Sequence, residues 1–328
     1  MRSRPAVTLE HVALAAGVSR ATASRVLTGS GVASERARRQ VLEAAVQLGY
    51  VADPVARALV SGRGTRLVVA ASAQCPDDVE HCAYTSRVVS AAAQVCAAEG
   101  LGVALRWVPV DSPGAVLDDL ARDRSVAGVL LVNTTELTLQ LLPRDLAGRV
   151  ASIGVGGPGV PEVDVDTLTV ARRITEHLLT TGRRRVALLA GPAWMPCAQR
   201  PVAAYRAAMR AAGLPAHVVP GDFSARHGRA GAAEVLRRWP DTDAVYGICD
   251  EVALGALQTL RAAGRQVPGD VAVMGFDDIP AAEFSGPGLT TATHPVEQIA
   301  TAATRIALGV VPGARTLFPS ELVLRETA

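Results

Sequence analysis

The sequence predicts an α/β protein, with an all-helical amino-terminal segment followed by two lobes built on parallel sheets. Three observations carry this. From residue 67 onward, short near-continuous Val/Leu/Ala runs alternate with amphipathic helical stretches, the pattern of parallel strands covered on both faces. The first fifty residues show helical spacing alone. Charge is also unevenly divided. Residues 1–66 carry ten Arg against Glu10, Glu35, Glu43 and Asp53, a balance of +6, whereas the remainder carries 23 Arg against 27 acids.

Leu9, Val12, Ala13 and Ala16 fall on one face of a first helix, and Gly17-Val18 supplies a turn. Ser19 precedes a second helix, Arg20 to Leu27, and Ser34 caps a third that Gly49 ends. Val41, Ala44, Ala45 and Leu48 form the inner face of that third helix, and Arg36, Arg38 and Arg39 its outer face. Two short helices around a Gly turn, braced by a third, are the helix-turn-helix plan. A small helical domain with no DNA role would share this spacing. The local Arg richness and the Ser/Thr/Arg tip of the second helix favour a nucleic-acid reader.

Beyond the headpiece, strands are expected at 67–71, 103–107, 128–132, 150–153, 185–189, 244–248 and 271–275, and helices at 86–99, 115–122, 169–181, 203–212, 228–238 and 251–263. The length, 328 residues, suits two or three domains. Aromatics are only 3%, so Ala, Val and Leu must build the core. Ligands of open α/β sheets bind outside the carboxyl ends of the strands, which places a site in the cleft between lobes.

Five cysteines with no C-x-x-C pair argue against a disulfide framework and a structural zinc site. The six His show no ligand-type spacing, so neither metal nor cofactor is expected. Met1-Arg2-Ser3-Arg4-Pro5 leads into no apolar run, and no run approaches membrane-spanning length, so a cytosolic protein without a membrane partner is expected. The loop Gly154-Val155-Gly156-Gly157 leads into Pro158 and Pro161, not into a helix, and reads as an ordinary loop. There is no nucleophile elbow, P-loop or catalytic carboxylate pair, which disfavours an enzyme.

The segments Val7-Thr8-Leu9-Glu10-His11-Val12-Ala13, Ala16-Gly17-Val18-Ser19 and Thr22-Ala23-Ser24-Arg25-Val26-Leu27 resemble the headpiece of the lactose-repressor (LacI/GalR) family. The pattern continues through Leu48-Gly49-Tyr50 and Asp53-Pro54-Val55-Ala56-Arg57-Ala58-Leu59. In the body, Val163-Asp164-Val165-Asp166, Tyr205-Arg206-Ala207-Ala208, Ala253-Leu254-Gly255-Ala256 and Gly275-Phe276-Asp277-Asp278 resemble family signatures in order.

The resemblance implies a headpiece at 1–52, a hinge helix and linker at 53–66, and a two-lobed, periplasmic-binding-protein-like effector domain at 67–328. Its N-lobe would comprise about 67–165 and 292–320, its C-lobe about 166–291 and 321–328. It implies a dimeric repressor, or less often an activator, on a pseudo-palindromic double-stranded DNA operator, modulated by a small-molecule effector. Arg20 and Ala21 take the positions that meet base edges, with Arg25 a second base or phosphate contact. Thr8, Ser19, Thr22, Ser24 and Ser34 fix register on phosphates, and Ser19 can also cap its helix. In the hinge, Val55, Ala56 and Leu59 meet the operator, Leu59 as a minor-groove wedge. The end of the chain, 320–328, has no leucine heptads, so a dimer is expected over a tetramer.

The cleft departs from the family's sugar binders. Gly154 replaces an acid, Pro201 stands where an Arg is usual with Arg200 displaced by one, and Cys249-Asp250 replaces Asn-Asp. His294 lies near a usual Gln. Asp277 remains, with Tyr84, Trp194 and Phe223 as apolar walls. The expectation is an effector other than a simple monosaccharide in the common pose, or a degenerate pocket under the control of a partner protein. A pure small-molecule-binding module is disfavoured by the headpiece.

Overall fold

The computed structural model describes residues 7–28, 32–50, 64–80 and 82–328. The chain divides into two compact units, Met1–Thr65 and Arg66–Ala328. Among the described residues no helix is long and apolar enough to cross a membrane.

The first unit is a three-helix headpiece: α1 (Leu9–Ala15), α2 (Arg20–Thr28) and α3 (Glu35–Leu48). Val12, Ala13, Ala16, Ala23, Val26, Val41, Ala44 and Ala45 form its core. Leu48, expected on the inner face, stays 38% exposed because it lies at the last turn beside the αL cap Gly49. Gly17 makes the α1–α2 turn at φ +63°, a conformation that costs other residues strain.

The second unit runs β1 (Arg66–Ala73), α4 (Asp77–Glu80), α5 (Ala83–Ala98), β2 (Gly102–Pro109), α6 (Gly114–Arg122), β3 (Val126–Val132), α7 (Glu136–Gln140), β4 (Val150–Ile153) and β5 (Glu162–Val165). It continues with α8 (Thr167–Thr180), β6 (Val186–Leu189), α9 (Pro196–Ala211), β7 (His217–Val219), α10 (Ala225–Arg238), β8 (Ala244–Gly247), α11 (Asp250–Ala262) and β9 (Ala272–Met274). It closes with α12 (Pro280–Phe284), β10 (Thr291–Ala292), α13 (Val296–Ala307), β11 (Thr316–Phe318) and β12 (Leu322–Val323).

A six-stranded sheet, β11-β5-β4-β3-β1-β2, forms one lobe and a four-stranded sheet, β7-β6-β8-β9, the other; every pairing within them is parallel. Each central strand serves two cores because successive side chains face opposite ways. Leu67, Val69 and Ala71 enter the layer under α5 and α13, while Val68 and Ala70 enter the layer under α6. In the second lobe Val186 and Leu188 pack with α8 and α9, and Ala187 and Leu189 with α10 and α11. This two-sided burial is why these strands read as apolar runs.

The sequence expectation had no strand at β5, β7, β10, β11 or β12, and no helix at α13. These strands are only two to four residues long, or carry charge within them. Helix α9 begins at Pro196, earlier than the expected 203, and carries Pro201 inside. Packing of Val202, Ala204, Tyr205 and Met209 into the core outweighs the lost backbone hydrogen bond.

Helices α10 and α11 approach at two glycines. A Cβ on Gly228 would stand 2.1 Å from the Val252 carbonyl oxygen, and one on Gly255 2.2 Å from that of Ala225. That approach sets the amino end of α11, and with it Cys249 and Asp250, against the cleft.

The chain passes between the lobes three times: at 165–167, around β10, and at 318–322. The passes are tied to one another. Asp166 N–H donates to the Phe318 carbonyl, Thr293 N–H donates to the Glu321 carbonyl while Glu321 N–H donates to the Thr293 hydroxyl, and the Ser320 hydroxyl donates to the Thr293 carbonyl at 2.7 Å. Asp250, fully buried, anchors this region. Its Oδ1 accepts from the Thr291 hydroxyl, its Oδ2 from Ile279 N–H at 2.9 Å, and its own N–H donates to the Phe276 carbonyl. Burial, reinforced by the charge of Asp277, pushes this carboxyl up to about 7 against the pull of its hydrogen bonds.

Two outcomes are expected. Gly255→Ala forces backbone apart and lowers unfolding stability by about 1–3 kcal/mol, read as a lower Tm. For Asp250, a folded pKa above the unfolded value of about 4 makes its contribution full below pH 4 and lost as pH rises through 7. Asp250→Asn keeps an acceptor for Ile279 N–H without that loss. Its stability relative to wild type therefore rises between about pH 4 and 7, by about 4 kcal/mol in denaturant titrations.

Candidate functional site

Two regions gather the candidate residues. In the headpiece, Thr8 and Ser34 are N-caps: Thr8 Oγ1 accepts from His11 N–H at 3.4 Å while His11 Nδ1 takes Thr8 N–H at 3.2 Å, and Ser34 Oγ accepts from Ala37 N–H. Ser19 Oγ accepts from Thr22 N–H at 3.2 Å and lies 2.9 Å from Thr22 Oγ1, so it caps the amino end of α2. Thr22 and Ser24 are half-buried along that helix, Ala21 is exposed at its tip, and Arg25 Nε donates to the Ala21 carbonyl at 3.2 Å. The Arg20 side chain is 70% exposed and stands 3.8 Å from Glu10. An exposed pair of this kind contributes at most about 1 kcal/mol and yields readily to another anion. A capped helix with an exposed basic tip and a positive amino-terminal dipole suits phosphate and base edges. Val55, Ala56 and Leu59 lie outside the described residues.

The second region is the cleft. Both sheets reverse strand order, at β1/β3 in one and β6/β8 in the other, and the loops leaving these strands face the crevice. Those loops and the crossovers bring together Tyr84, Asp164, Arg200, Asp277 and His294. His294 Nδ1 lies 2.8 Å from Asp277 Oδ1, and its ring stacks on Tyr84 at 5.4 Å and leans on Phe276 at 5.0 Å. Asp277 is held at φ +123° and Asp278 at φ +52°, conformations non-Gly residues adopt rarely. The Arg325–Asp278 ion pair at 2.8 Å and the Asp250–Ile279 bond brace this turn. His294 Nε2 is buried and has no hydrogen-bond partner among the described residues. Such an atom costs about 1–3 kcal/mol, which a ligand hydroxyl would relieve.

Arg200 is committed elsewhere. It pairs with Asp164 at 3.0 Å and Glu162 at 2.8 Å, and Arg315 reaches Glu162 from the other side at 3.1 Å. Burial pushes Asp164 up to about 6 despite the neighbouring guanidinium. Sequence reading passed over Asp164 and Glu162 as site residues. The signal was an acid between Val163 and Val165, since a buried charge requires a partner.

Asp250 is the buried anchor described above and offers no free oxygen to the cleft. Cys249 is buried, and its thiol donates to the Phe223 carbonyl at 3.4 Å. Burial raises the Cys249 thiol well above its ordinary value and pushes that of Cys197, near Asp164, up to about 12. Thiols held protonated are poor nucleophiles. Phe223 is 37% exposed and Trp194 half-buried, both on loops leaving the second sheet. An open trough of about 820 Å³ lies between the 156–162 and 309–315 segments. Its walls are glycine and aliphatic residues, and its charged pair, Glu162 and Arg315, is bound to itself, so the cleft is the better binding candidate.

Residues 8–53 match the model for bacterial regulatory proteins of the lacI family, and residues 175–328 that for a periplasmic binding protein-like domain. The chain is 36% identical over 342 residues to the HTH-type transcriptional regulator CelR of Thermobifida fusca, covering 98% of this chain and 96% of that protein. A solved transcriptional regulator CelR–cellobiose complex matches with a TM-score of 0.70 at 31% identity, covering 99% of this chain and 100% of that one. The lac repressor dimer bound to operator and the anti-inducer ONPF matches with a TM-score of 0.83 at 24% identity, covering 98% and 99%. These agree with the resemblance read from the sequence motifs.

Proposed function

The chain belongs to the lacI family of bacterial regulatory proteins and is a DNA-binding transcriptional regulator, not an enzyme; from that premise we propose that it works as a homodimer on a pseudo-palindromic operator, controlled by a cellobiose-like sugar held between its lobes. The observation that carries the reading is the end-to-end match to CelR of Thermobifida fusca and to a solved CelR–cellobiose complex.

On DNA, α2 enters the major groove. Arg20 takes guanine O6/N7, Ala21 meets a thymine methyl, and Arg25 gives up its backbone bond for a second contact. Thr8, Ser19, Thr22, Ser24 and Ser34 hold the phosphates, and Val55, Ala56 and Leu59 engage the centre of the operator, Leu59 as a wedge. Two half-sites call for two headpieces. An apolar patch of half-buried Leu254 and of Phe284, which is 81% exposed, offers a surface for the second copy.

In the cleft, Asp277 and His294 accept from and donate to sugar hydroxyls, while Tyr84, Trp194 and Phe223 cover the apolar faces of the rings. Gly154 and Pro201 supply no polar side-chain hydrogen bond, and each missing partner costs about 1–3 kcal/mol. Two rings spread over aromatic walls recover contact that one hexose cannot, which favours a disaccharide.

In fluorescence anisotropy with a selected operator, Arg20→Ala weakens specific binding by about 1–3 kcal/mol and leaves non-specific binding far less changed. Equal losses on both DNAs would place Arg20 on phosphate instead. In thermal-shift measurements, cellobiose at 100 times its Kd stabilises the protein by about 2.7 kcal/mol. A hexose acting equally well, or no shift from any sugar, would sink the disaccharide reading and leave the DNA reading standing.

A further inference from the structure

Arg200 stands on α9, in the second lobe, yet both of its charged contacts lie on β5 in the first. α9 belongs there through Val202, Ala204, Tyr205 and Met209, which pack with β6 and β8. Glu162 and Asp164 belong to the six-stranded sheet through the pairing of β5 with β4 and β11. The guanidinium therefore joins two bodies that also meet at the three crossovers and at the His294–Asp277 and His294–Phe276 contacts beside one of them.

The arrangement is built for that role. One terminal nitrogen takes Asp164 Oδ2 at 3.0 Å and the other takes Glu162 Oε1 at 2.8 Å, a fork each carboxylate fills from its own side. The three side chains are 22%, 7% and 13% exposed, in the order Arg200, Asp164, Glu162. The remaining oxygens are occupied as well: Asp164 Oδ1 accepts from Val165 N–H at 2.8 Å, and Glu162 Oε2 from Arg315 Nε at 3.1 Å. Two acids and two arginines are thus in balance only while the lobes are closed. Opening would leave two shielded carboxylates facing one another with Arg315 alone, whose side chain is 66% exposed.

We propose that Arg200 is a positioning residue, an inter-lobe latch that holds the cleft closed through Asp164 and Glu162 and does not itself contact the effector. It acts whether or not the effector is a sugar. The latch is a salt link one side chain wide, set apart from the His294–Asp277 pair beside the crossover.

Hydrogen exchange with mass spectrometry on the full-length protein tests this. Arg200→Gln should raise exchange several-fold in cleft-facing loops of both lobes, 133–138 in the first and 190–195 and 276–279 in the second. The Asp164→Asn, Glu162→Gln pair should do the same from the opposite lobe. Combining all three should add nothing further, because one link is lost either way. Arg200→Lys should restore part of the protection, since it keeps the charge but not the fork. A rise confined to α9, additive effects of the two sets, or unchanged exchange alongside lost effector binding would each overturn the latch.

Discussion

A parallel strand covered by helices on both faces has no side left for water, and much of this molecule follows from that. Polar chemistry is pushed to the strand ends, and because the strands run the same way, their carboxyl ends share one edge of each sheet. Turning these two edges toward each other makes the cleft. Asp164, Cys249, Asp277 and the Trp194 and Phe223 loops all lie at or just past a strand end. Their convergence is a result of strand direction more than of any local motif.

What joins the two sheets is correspondingly polar. The three crossovers are held by backbone bonds among Asp166, Thr293, Phe318 and Glu321, with Asp250 buried behind them. Asp250 and Asp164 are both carboxyls whose burial works against their charge. They differ in how the cost is met. Asp250 is met by a hydroxyl and an N–H on neighbouring segments, which fixes the Asp277 turn. Asp164 is met by a guanidinium from across the cleft, which makes its comfort depend on lobe position. One acid stiffens the hinge and the other responds to it.

The headpiece was largely legible in the sequence because its determinants are local. Thr8, Ser19 and Ser34 act within three residues of themselves, Gly17 and Gly49 supply left-handed turns, and helical spacing names the small core. The long apolar strands were legible for the same reason. Short strands such as β10 and β12 were not, since two residues carry no periodicity and exist only by pairing with each other. Helix α9 was read late because Pro201 signals a boundary locally, while burial of the helix face is a property of the whole lobe.

The sequence by itself determined the fold class, the family and the basic tip of α2, all of which rest on spacing, composition and contacts between near neighbours. Only the tertiary structure decided the uses of Arg200, Asp250 and His294. Arg200 pairs with acids 36 and 38 positions away, Asp250 with a hydroxyl 41 away, and His294 with an acid 17 away. A side chain's charge and hydrogen-bonding capacity are written in its residue type. The partner that consumes them is chosen by how the sheets bring distant segments together, and a linear pattern holds no record of that distance.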